Sequence, residues 1–438
     1  MPTDNLRTLL DVLEVLRPAF TATTFALFVM LFDGWVRTPA RHAITECLIA
    51  TGVASGRDHT AFYRFFSRGT WNPDRLGRCL FEAVLKRLGP DELLALVVDD
   101  TLAKHKGPHV FALGTHLDAV RSTRKTKVFA FGHVWVVLSV VLTVPFARRG
   151  FALPVLFRLY RSETDCARHG ATYRKRTELA RELVDLVVGW LDDLAPDRPL
   201  SLALDNGYAN HTVLGGLPSQ VTVVGAMRAD AALEVDANKI SPALLAADVT
   251  RPWQRVQADL YGQTRDVESK TLVATWRRVC NTTPLRIVVV RCVNGSLPLR
   301  IFFCTDAAVG VRAVLEWYAA TRWPIEVTFR DLKQLLGLAQ ASVRVENAVL
   351  REVPFVGIQY TGLTLWALRL NLTPQTVAAA TRPWYRHKRF VSFGDILRTA
   401  QKSLNEGNLS ALRDTREQEA ARQGEVLPRA PRRLAKAA

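Results

Sequence analysis

The sequence predicts an α/β protein in which a mixed sheet with flanking helices follows a helical N-terminal segment and is interrupted by a β-rich stretch. Residues 1–90 carry the apolar periodicity of helices. Two apolar runs typical of buried strands, 93–98 and 199–204, each lead into an aspartate. Residues 219–305 are rich in strand-forming residues and contain a hairpin signal at Asn294-Gly295. A chain of 438 residues can hold two or three domains of this kind.

The charge of the chain indicates a polyanionic partner. It carries 58 Lys and Arg against 41 Asp and Glu, a net charge of +17. The basic residues are spread along the whole chain, and nucleic acid is the commonest partner of such a protein. A basic tail that only aids solubility is the alternative.

The N-terminal segment predicts several helices. An amphipathic stretch stops at Pro18, and the following stretch up to Trp35 is apolar almost all round, as in a buried helix. Residues 55–69 have a Ser/Gly start, a short helical stretch and a Gly stop, which is typical of a helix-turn-helix recognition element. A plain helical bundle with a basic surface explains the same pattern. The basic side chains that could reach DNA are Arg57, His59, Arg64 and Arg68.

Two acidic residues are expected at strand ends. Asp99 follows the first apolar run and is itself followed by Asp100 and Thr101, and Asp205 follows the second run. An acidic side chain at the end of an apolar strand is costly unless it binds something, typically a metal ion. Each aspartate could also simply start a turn.

Residues 102–127 are expected to form a polar loop. Its three histidines lack a zinc-binding spacing and are interpreted as loop residues. The loop ends in a basic cluster that suits phosphate contacts, or that is simply solvated. The cluster consists of Arg121, Arg124, Lys125 and Lys127.

The apolar run 128–147 is long enough to span a bilayer, but it is equally typical of buried strands. Because no second comparable run exists, we predict two strands, 129–142 and 150–158, that turn at Pro145. A helix at 172–191 follows. The six cysteines are far apart and form no CxxC pair, which indicates reduced thiols and no zinc site.

A third acidic residue lies on a predicted helix. Tyr318, Arg322, Glu326, Phe329 and Lys333 recur at steps that place them on or near one helical face. A carboxylate between two cations suits a metal-bound phosphodiester, and it also suits an ordinary salt-bridged helix. The two aspartates favour the first interpretation, since neighbouring strand ends and a helix packed across the sheet can bring three carboxylates together. Hard oxygen ligands of this kind favour two Mg²⁺ or Mn²⁺ ions.

In these motifs the chain resembles the DDE-type transposases of bacterial insertion sequences, which have a ribonuclease H-like catalytic core. The motifs are Leu-Val-Val-Asp99-Asp-Thr, Leu-Ala-Leu-Asp205-Asn-Gly-Tyr and Tyr318…Arg322-Trp-Pro-Ile-Glu326…Lys333. The last is close to the Tyr-Arg-Glu-Lys signature of one cut-and-paste branch, which also has a β-rich insertion before the glutamate helix. One departure is that three residues, where the branch has two, separate Tyr318 from Arg322.

The resemblance implies roles for the matching residues. Asp99, Asp205 and Glu326 would form the metal-binding catalytic triad, and Asp99 is preferred to Asp100 because of the residues that follow it. Arg322 and Lys333 would hold the DNA backbone. With these we count as DNA-binding residues Tyr318, Trp323 and the basic cluster Arg121, Arg124, Lys125 and Lys127.

The resemblance also implies an organisation and partners. We expect a helical DNA-binding domain at 1–90, a ribonuclease H-like core at 91–218 and 306–372, a β-rich insertion at 219–305, and a basic C-terminal region at 373–438 whose last 20 or so residues are a weakly ordered tail. The partners would be double-stranded DNA and a second copy of the chain in a synaptic dimer, and no membrane. No signal-peptide pattern is present, so we expect a cytoplasmic, nucleoid-associated protein.

The predicted activity is metal-dependent cleavage at the ends of an insertion sequence, followed by joining of the 3′-hydroxyl ends to target DNA. Two alternatives keep part of this prediction. One is a DNA-binding regulator that has lost the chemistry, and the other is a metal-dependent nuclease without strand transfer.

Overall fold

The computed structural model describes residues 2–39, 41–53, 56, 58–123, 125–293, 299–378, 384 and 387–430. The predicted DNA contacts Arg57 and Arg124 and the predicted turn at Asn294-Gly295 lie outside the described residues.

The N-terminal segment is helical, as predicted. Its helices are α1 (Pro2–Glu14), α2 (Ala22–Arg37), α3 (Ile44–Ala50), α4 (Thr60–Ser67) and α5 (Pro73–Leu85). The threonines Thr21 and Thr24 form a capping box that starts α2, and the Asn72 side chain caps α5 at the point where Pro73 supplies a first residue with no amide to satisfy. Helix α2 is buried along most of its length, as its all-round apolar sequence predicts.

The central sheet contains both parallel and antiparallel pairs. Its strands are β1 (Leu94–Lys104), β2 (Gly114–Leu117), β3 (Phe129–Leu142), β4 (Phe151–Tyr160), β5 (Leu200–Leu204) and β6 (Val221–Ala226). Strand β3 lies antiparallel between β1 and β4, while β1, β5 and β6 run parallel to one another. The predicted fold class, a ribonuclease H-like mixed sheet with flanking helices, is confirmed.

The apolar run 128–147 is a sheet strand and not a helix. Strand β3 is paired on both edges and nearly all its side chains from Gly132 onward are buried. Burial on both faces explains its continuous hydrophobicity. Among the residues that the structure describes, no helix is long and apolar enough to cross a membrane.

The segment between β4 and β6 holds helices α6 (Glu163–His169), α7 (Arg176–Leu194) and α8 (His211–Leu214). Helix α7 confirms the prediction at 172–191. Helix α6 was not predicted, although Ser162 caps its first turn and Gly170 ends it with a left-handed backbone. It is too short to show an apolar period, so only these two capping residues indicate it.

The β-rich stretch continues the central sheet. After β6 come β7 (Leu233–Val235), β8 (Asn238–Ile240), α9 (Pro242–Ala247), β9 (Gln254–Leu260), β10 (Gln263–Thr275), α10 (Arg277–Cys280), β11 (Pro284–Cys292) and β12 (Arg300–Cys304). Strand β12 pairs with β6, and β11, β10 and β7 follow outward. The described strands therefore form one twelve-stranded sheet. The predicted domain boundaries stay a prediction.

The C-terminal part is helical, with α11 (Val311–Leu335), α12 (Glu346–Arg369), α13 (Pro374–Ala378), α14 (Phe393–Asn405) and α15 (Leu409–Arg422). Helix α12 is buried along its length and packs against α1, α4, α5, α14 and β4. The Trp366 indole donates a hydrogen bond to the carbonyl of Asn5, and the Thr361 hydroxyl donates one to the carbonyl of Pro154. Helix α12 thus joins the N-terminal helices to the sheet.

The C-terminal region is helical up to the first residues of the predicted tail, and the weak order of that tail stays a prediction. Helix α15 continues to Arg422, and it packs against α1 and α2. Ala430 is buried, and its amide donates a hydrogen bond to the carbonyl of Phe20. Residues 431–438 lie outside the described part of the chain.

Glycine 77 controls how closely α5 approaches the sheet. A Cβ atom at this position would lie 2.1 Å from the carbonyl oxygen of Val155 on β4, and a backbone atom cannot move aside cheaply. We expect Gly77→Ala to destabilise the protein by about 1–3 kcal/mol, because the helix must shift. Urea unfolding measures this. The control Gly189→Ala, in α7 with open space around it, should be neutral or stabilising by up to ~1 kcal/mol. Equal effects of the two changes would contradict the prediction.

Glu352 is a buried acid in the second turn of α12. Burial raises its pKa to about 8, although the backbone amides of Ala339 and Ala341 lower it. Its Oε1 atom has no hydrogen-bond partner among the described residues. Because the folded-state pKa lies above the ordinary value, the folded protein binds this proton more tightly than the unfolded chain does.

The contribution of Glu352 to stability should therefore be complete at low pH and should be lost as the pH rises towards 8. We expect Glu352→Gln to remove this loss. As the pH rises towards 8, the free energy of unfolding of the variant should increase relative to that of the wild type by up to about 1.4 kcal/mol per pH unit. Unfolding free energies between pH 5 and 9 measure the slope. Glu346→Gln, an exposed change on the same helix, should leave the wild-type slope unchanged. Parallel curves for Glu352→Gln and the wild type would contradict the prediction.

Candidate active site

Asp99 and Asp205 lie on neighbouring parallel strands. Strand β1 pairs with β5 up to Val97 and Ala203; Asp99 is two residues further along β1, and Asp205 is the first residue after β5. Asp205 is close enough to Asp99 to raise the pKa of that carboxyl. The prediction that the sheet brings these acids together agrees with this register.

The prediction that Asp99 ends its strand was wrong. Strand β1 continues to Lys104, because residues 95–104 pair with β3 on its other edge. Only the pairing with β5 stops before Asp99. Asp99 therefore lies where β1 still pairs with β3 on one side but no longer pairs with β5 on the other.

Asp99 and Asp100 point to opposite faces of β1, as successive strand residues must. Asp99 faces α11 and forms an ion pair of 3.0 Å with Arg322. Asp100 forms an ion pair of 3.0 Å with Arg176 at the start of α7, and it accepts a hydrogen bond of 2.8 Å from the Tyr208 hydroxyl. Of the two aspartates, only Asp99 therefore lies on the side of the sheet where α11, the helix that carries Glu326, is packed.

Glu326 reaches the same cation as Asp99. The Arg322 guanidinium lies 3.1 Å from the Glu326 carboxylate, one helical turn along α11, and 3.0 Å from the Asp99 carboxylate. The Arg322 side chain is buried, whereas that of Glu326 is 58% exposed. Arg322 therefore forms ion pairs with one buried carboxylate, Asp99, and one exposed carboxylate, Glu326.

The electrostatics of the site are dominated by burial of Asp99. The pKa of Asp99 is raised to about 7, chiefly by burial; the charge of Arg322 opposes this rise, and the nearby carboxylates of Asp205 and Asp100 add to it. Asp205 accepts hydrogen bonds from the amides of Gly207 and Tyr208 at 2.9 and 3.1 Å, which fix the turn that follows β5. Several negative charges thus share one partly buried cation.

The donor chemistry of Asp99, Asp205 and Glu326 fits a hard divalent cation. Within the described residues, however, no group of three or more His, Cys, Asp or Glu side chains is arranged to hold a metal ion. Arg322 instead forms ion pairs with both Asp99 and Glu326. Asp99, Asp205 and Glu326 would hold a metal ion together only if this side chain gave up its ion pairs.

Tyr318 and Trp323 lie beside the carboxylates. The Tyr318 ring contacts the Phe302 ring on β12 at 4.7 Å between centroids, and burial raises the pKa of its hydroxyl. The Trp323 ring is contacted by the Tyr261 ring at 5.9 Å and by the Arg149 guanidinium at 5.0 Å. Both predicted aromatic residues are therefore part of the site's surroundings.

Lys333 extends the site towards the predicted basic cluster. It is half-buried, burial lowers its pKa, and its charged neighbours include Asp118, Lys104 and Asp99. Asp118 also pairs with Lys104 at 2.8 Å and lies 4.0 Å from Arg121. Lys125 and Lys127 are exposed in the same turn between β2 and β3. The polar loop predicted at 102–127 thus contains strand β2 and includes the end of β1.

The predicted recognition element in the N-terminal segment is a separate surface. His59, Arg64 and Arg68 are exposed on or next to α4. Helix α4 packs against α12 through its apolar face. The role of these residues in DNA binding stays a prediction.

Sequence reasoning missed Tyr261 and Arg176. Tyr261 and Gly262 both have positive φ values, 55° and 77°, in the two-residue turn between β9 and β10. A Tyr-Gly pair between alternating stretches is a hairpin signal that could have revealed this turn. The partnership of Arg176 with Asp100 had no local signal, because the two residues are far apart in the sequence.

The comparisons with known proteins concern the same part of the chain. A family model described as DDE superfamily endonuclease matches residues 15–281, which include Asp99 and Asp205 and stop before Glu326. No curated protein matches the sequence. Among solved structures, the chain is similar to the piggyBac transposase in a cryo-EM synaptic complex with hairpin DNA, at 12% identity and a TM-score of 0.45, over 94% of this chain and 81% of that one.

The assignment to a family rests on the match of the sequence to the family model. That match covers well over half of the chain and includes both strands that carry the aspartates. This protein therefore belongs to the DDE superfamily of endonucleases.

Proposed function

We propose that the protein is a DNA transposase that cuts the ends of its own element and joins the 3′-hydroxyl ends to target DNA. The observation that carries the proposal is that Arg322 pairs with both Asp99 and Glu326, while Asp205 is close enough to Asp99 to raise its pKa. A carboxylate as deeply buried as Asp99 is costly to ionise, and structural ion pairs rarely need two further acids beside it. The net charge of +17 supports DNA as the substrate.

In this proposal the three carboxylates would hold Mg²⁺ or Mn²⁺, two ions in all, which supply activation of the attacking oxygen and stabilisation of the leaving one. The chain's own residues position the DNA. The terminal guanidinium nitrogens of Arg322, which pair with Asp99 and Glu326 in the absence of DNA, would donate to a phosphate oxygen when DNA is bound. Lys333 is placed to neutralise a phosphate beside Asp99.

Further DNA contacts follow from the surroundings of the site. In this proposal Tyr318 and Trp323 contact the DNA strand near the cleaved bond. Arg121, Lys125 and Lys127 bind phosphates further along the DNA. Membership of the Tyr-Arg-Glu-Lys branch, an origin in a bacterial insertion sequence, a synaptic homodimer and a cytoplasmic, nucleoid-associated location belong to the same proposal. The two alternatives, a regulator without chemistry and a nuclease without strand transfer, are separated from it by the assay below.

The carboxylates can be tested by isosteric amides. We expect Asp99→Asn, Asp205→Asn and Glu326→Gln each to reduce cleavage to the level without metal, because each removes an anionic oxygen ligand. The substrate is a DNA fragment that carries the gene with its flanking sequence, incubated with and without Mg²⁺. Terminal nicks followed by joined products are expected of the wild type.

The control for these variants is Glu419→Gln, which removes an exposed acid on α15 and should cleave normally. All variants should still shift DNA in a gel. Full cleavage by any one of the three amide variants removes that residue from the triad. Nicks without joined products would favour the nuclease, and binding without nicks the regulator.

The position of Arg322 predicts competition with metal ions. Without DNA, its guanidinium already neutralises Asp99 and Glu326, and a divalent cation must displace that charge. We expect Arg322→Gln to bind Mn²⁺ at least about tenfold more tightly, since close charges interact by several kcal/mol in a partly buried site.

Isothermal titration of the DNA-free protein measures this affinity. The matched control is Arg330→Gln, two turns further along α11, where the arginine pairs with Asp331 instead. It should leave Mn²⁺ binding unchanged. Weaker or equal binding by Arg322→Gln would show that the arginine organises the carboxylates and does not compete for them.

A further inference from the structure

A groove beside the candidate active site is lined by five basic side chains. It has a volume of about 620 Å³, and none of the described residues that line it is acidic. The side chains come from four separate segments, so the fold concentrates positive charge here. We call it the basic groove, and its cations are Arg41, Lys104, Lys106, Arg121 and Arg344.

Most of these cations lack an acidic partner. Lys104 pairs with Asp118, and Arg121 lies 4.0 Å from the same carboxylate. Among the described residues, no carboxylate lies within ion-pair distance of Arg41, Lys106 or Arg344. One acid against five cations leaves a strong positive potential, and such a potential attracts phosphate groups.

An aromatic ring lies among these cations. Phe131 on β3 lines the basic groove and is 47% exposed, although most phenylalanines of the protein are buried. The ring also lines a neighbouring groove, where Asp165 and Glu346 accompany the basic residues. Of the two grooves, the basic groove is thus the one that combines an aromatic surface with unbalanced positive charge.

The walls of the groove are tied to each other. The ring of His105 hydrogen-bonds the carbonyl of Ala339 at 2.9 Å, and the amide of Phe111 donates to the carbonyl of Arg344 at 2.9 Å. These bonds connect the loop after β1 to the loop after α11. The groove is therefore built into the fold and needs no folding on binding.

The basic groove continues from the carboxylates. Lys104 is five residues after Asp99 on β1, a distance of ~17 Å along an extended strand, and strand alternation places it on the same face as Asp100. Lys333 on α11 has Lys104, Asp99 and Asp100 among its charged neighbours and so connects the two faces. A DNA strand that leaves the site can thus follow basic side chains into the groove.

We propose that the basic groove binds an unpaired DNA strand next to the cleaved bond, with a base stacked on Phe131 and phosphates bound by Lys106 and Arg344. This inference rests on the proposed DNA-processing function and deepens it. A cavity of this volume holds a small ligand and is too small for a duplex. Aromatic rings interleaved with cations are the usual means by which proteins bind single strands without base-pair contacts.

The test measures binding of a fluorescein-labelled oligo(dT) to the full-length protein in EDTA, so that cleavage plays no part. We expect Phe131→Ala to weaken binding by about 5- to 100-fold, as loss of one stacked base does. Phe131→Tyr should restore the affinity. The matched control is Phe129→Ala, because Phe129 is 63% exposed on the same face of β3 and does not line the groove.

The charge is tested separately through the salt dependence. Lys106→Gln should reduce the slope of log affinity against log salt by about 0.7, the value for one phosphate contact with a single strand. The control Lys239→Gln, an exposed change on β8, should leave the slope unchanged. Binding of a blunt duplex should be the same for Phe131→Ala and the wild type.

Several results would overturn the inference. These are unchanged oligo(dT) binding by Phe131→Ala, an equal loss in Phe129→Ala, or an equal loss for the duplex. If Phe131→Ala instead separates a dimer in sedimentation while DNA binding persists, the ring belongs to a protein interface. Cleavage of the flanking DNA with Mg²⁺ tests the proposed function independently, so failure of one does not imply failure of the other.

Discussion

The parallel pairing of β1 with β5 is the constraint on which the candidate site depends. It ends at Val97 and Ala203, two residues before Asp99 and Asp205, whereas β1 continues along β3 to Lys104. The antiparallel partner holds β1 straight past the point where the parallel partner stops. This difference places a buried carboxylate at an opening in the sheet, while the pairing with β3 still fixes the backbone of β1.

The two faces of β1 present Asp99 and Asp100 to different partners. On one face Asp99 meets Arg322 and Glu326 of α11, and on the other Asp100 is fixed by Arg176 and the Tyr208 hydroxyl. Tyr208 also donates its amide to Asp205, so the turn after β5 is tied to both aspartate-bearing strands. Asp100 is thus suited to positioning, and its network limits the movement of the carboxylates that face α11.

Much of this could be predicted from the sequence, because its signals are local. The apolar runs before Asp99 and Asp205 and the helical spacing from Tyr318 to Lys333 identified the strands and the helix. The continuation of β1 beyond Asp99 could not be predicted, since the polar residues Asp99 to Thr101 look like a turn until the pairing with β3 is known. The pairing of Arg322 with Asp99 likewise depends on contacts across 223 residues of chain.

The twist of the sheet has a consequence for access to the carboxylates. Five steps separate β1 from β10, and a rotation of about 20–25° per step turns the outer strands through roughly 100–125°. The outer strand β9 accordingly packs against α11, and the turn that follows it places Tyr261 on Trp323. The position of the Tyr261–Trp323 pair beside the carboxylates therefore depends on strands far from β1, so substitutions on those outer strands can shift this pair without touching the carboxylates.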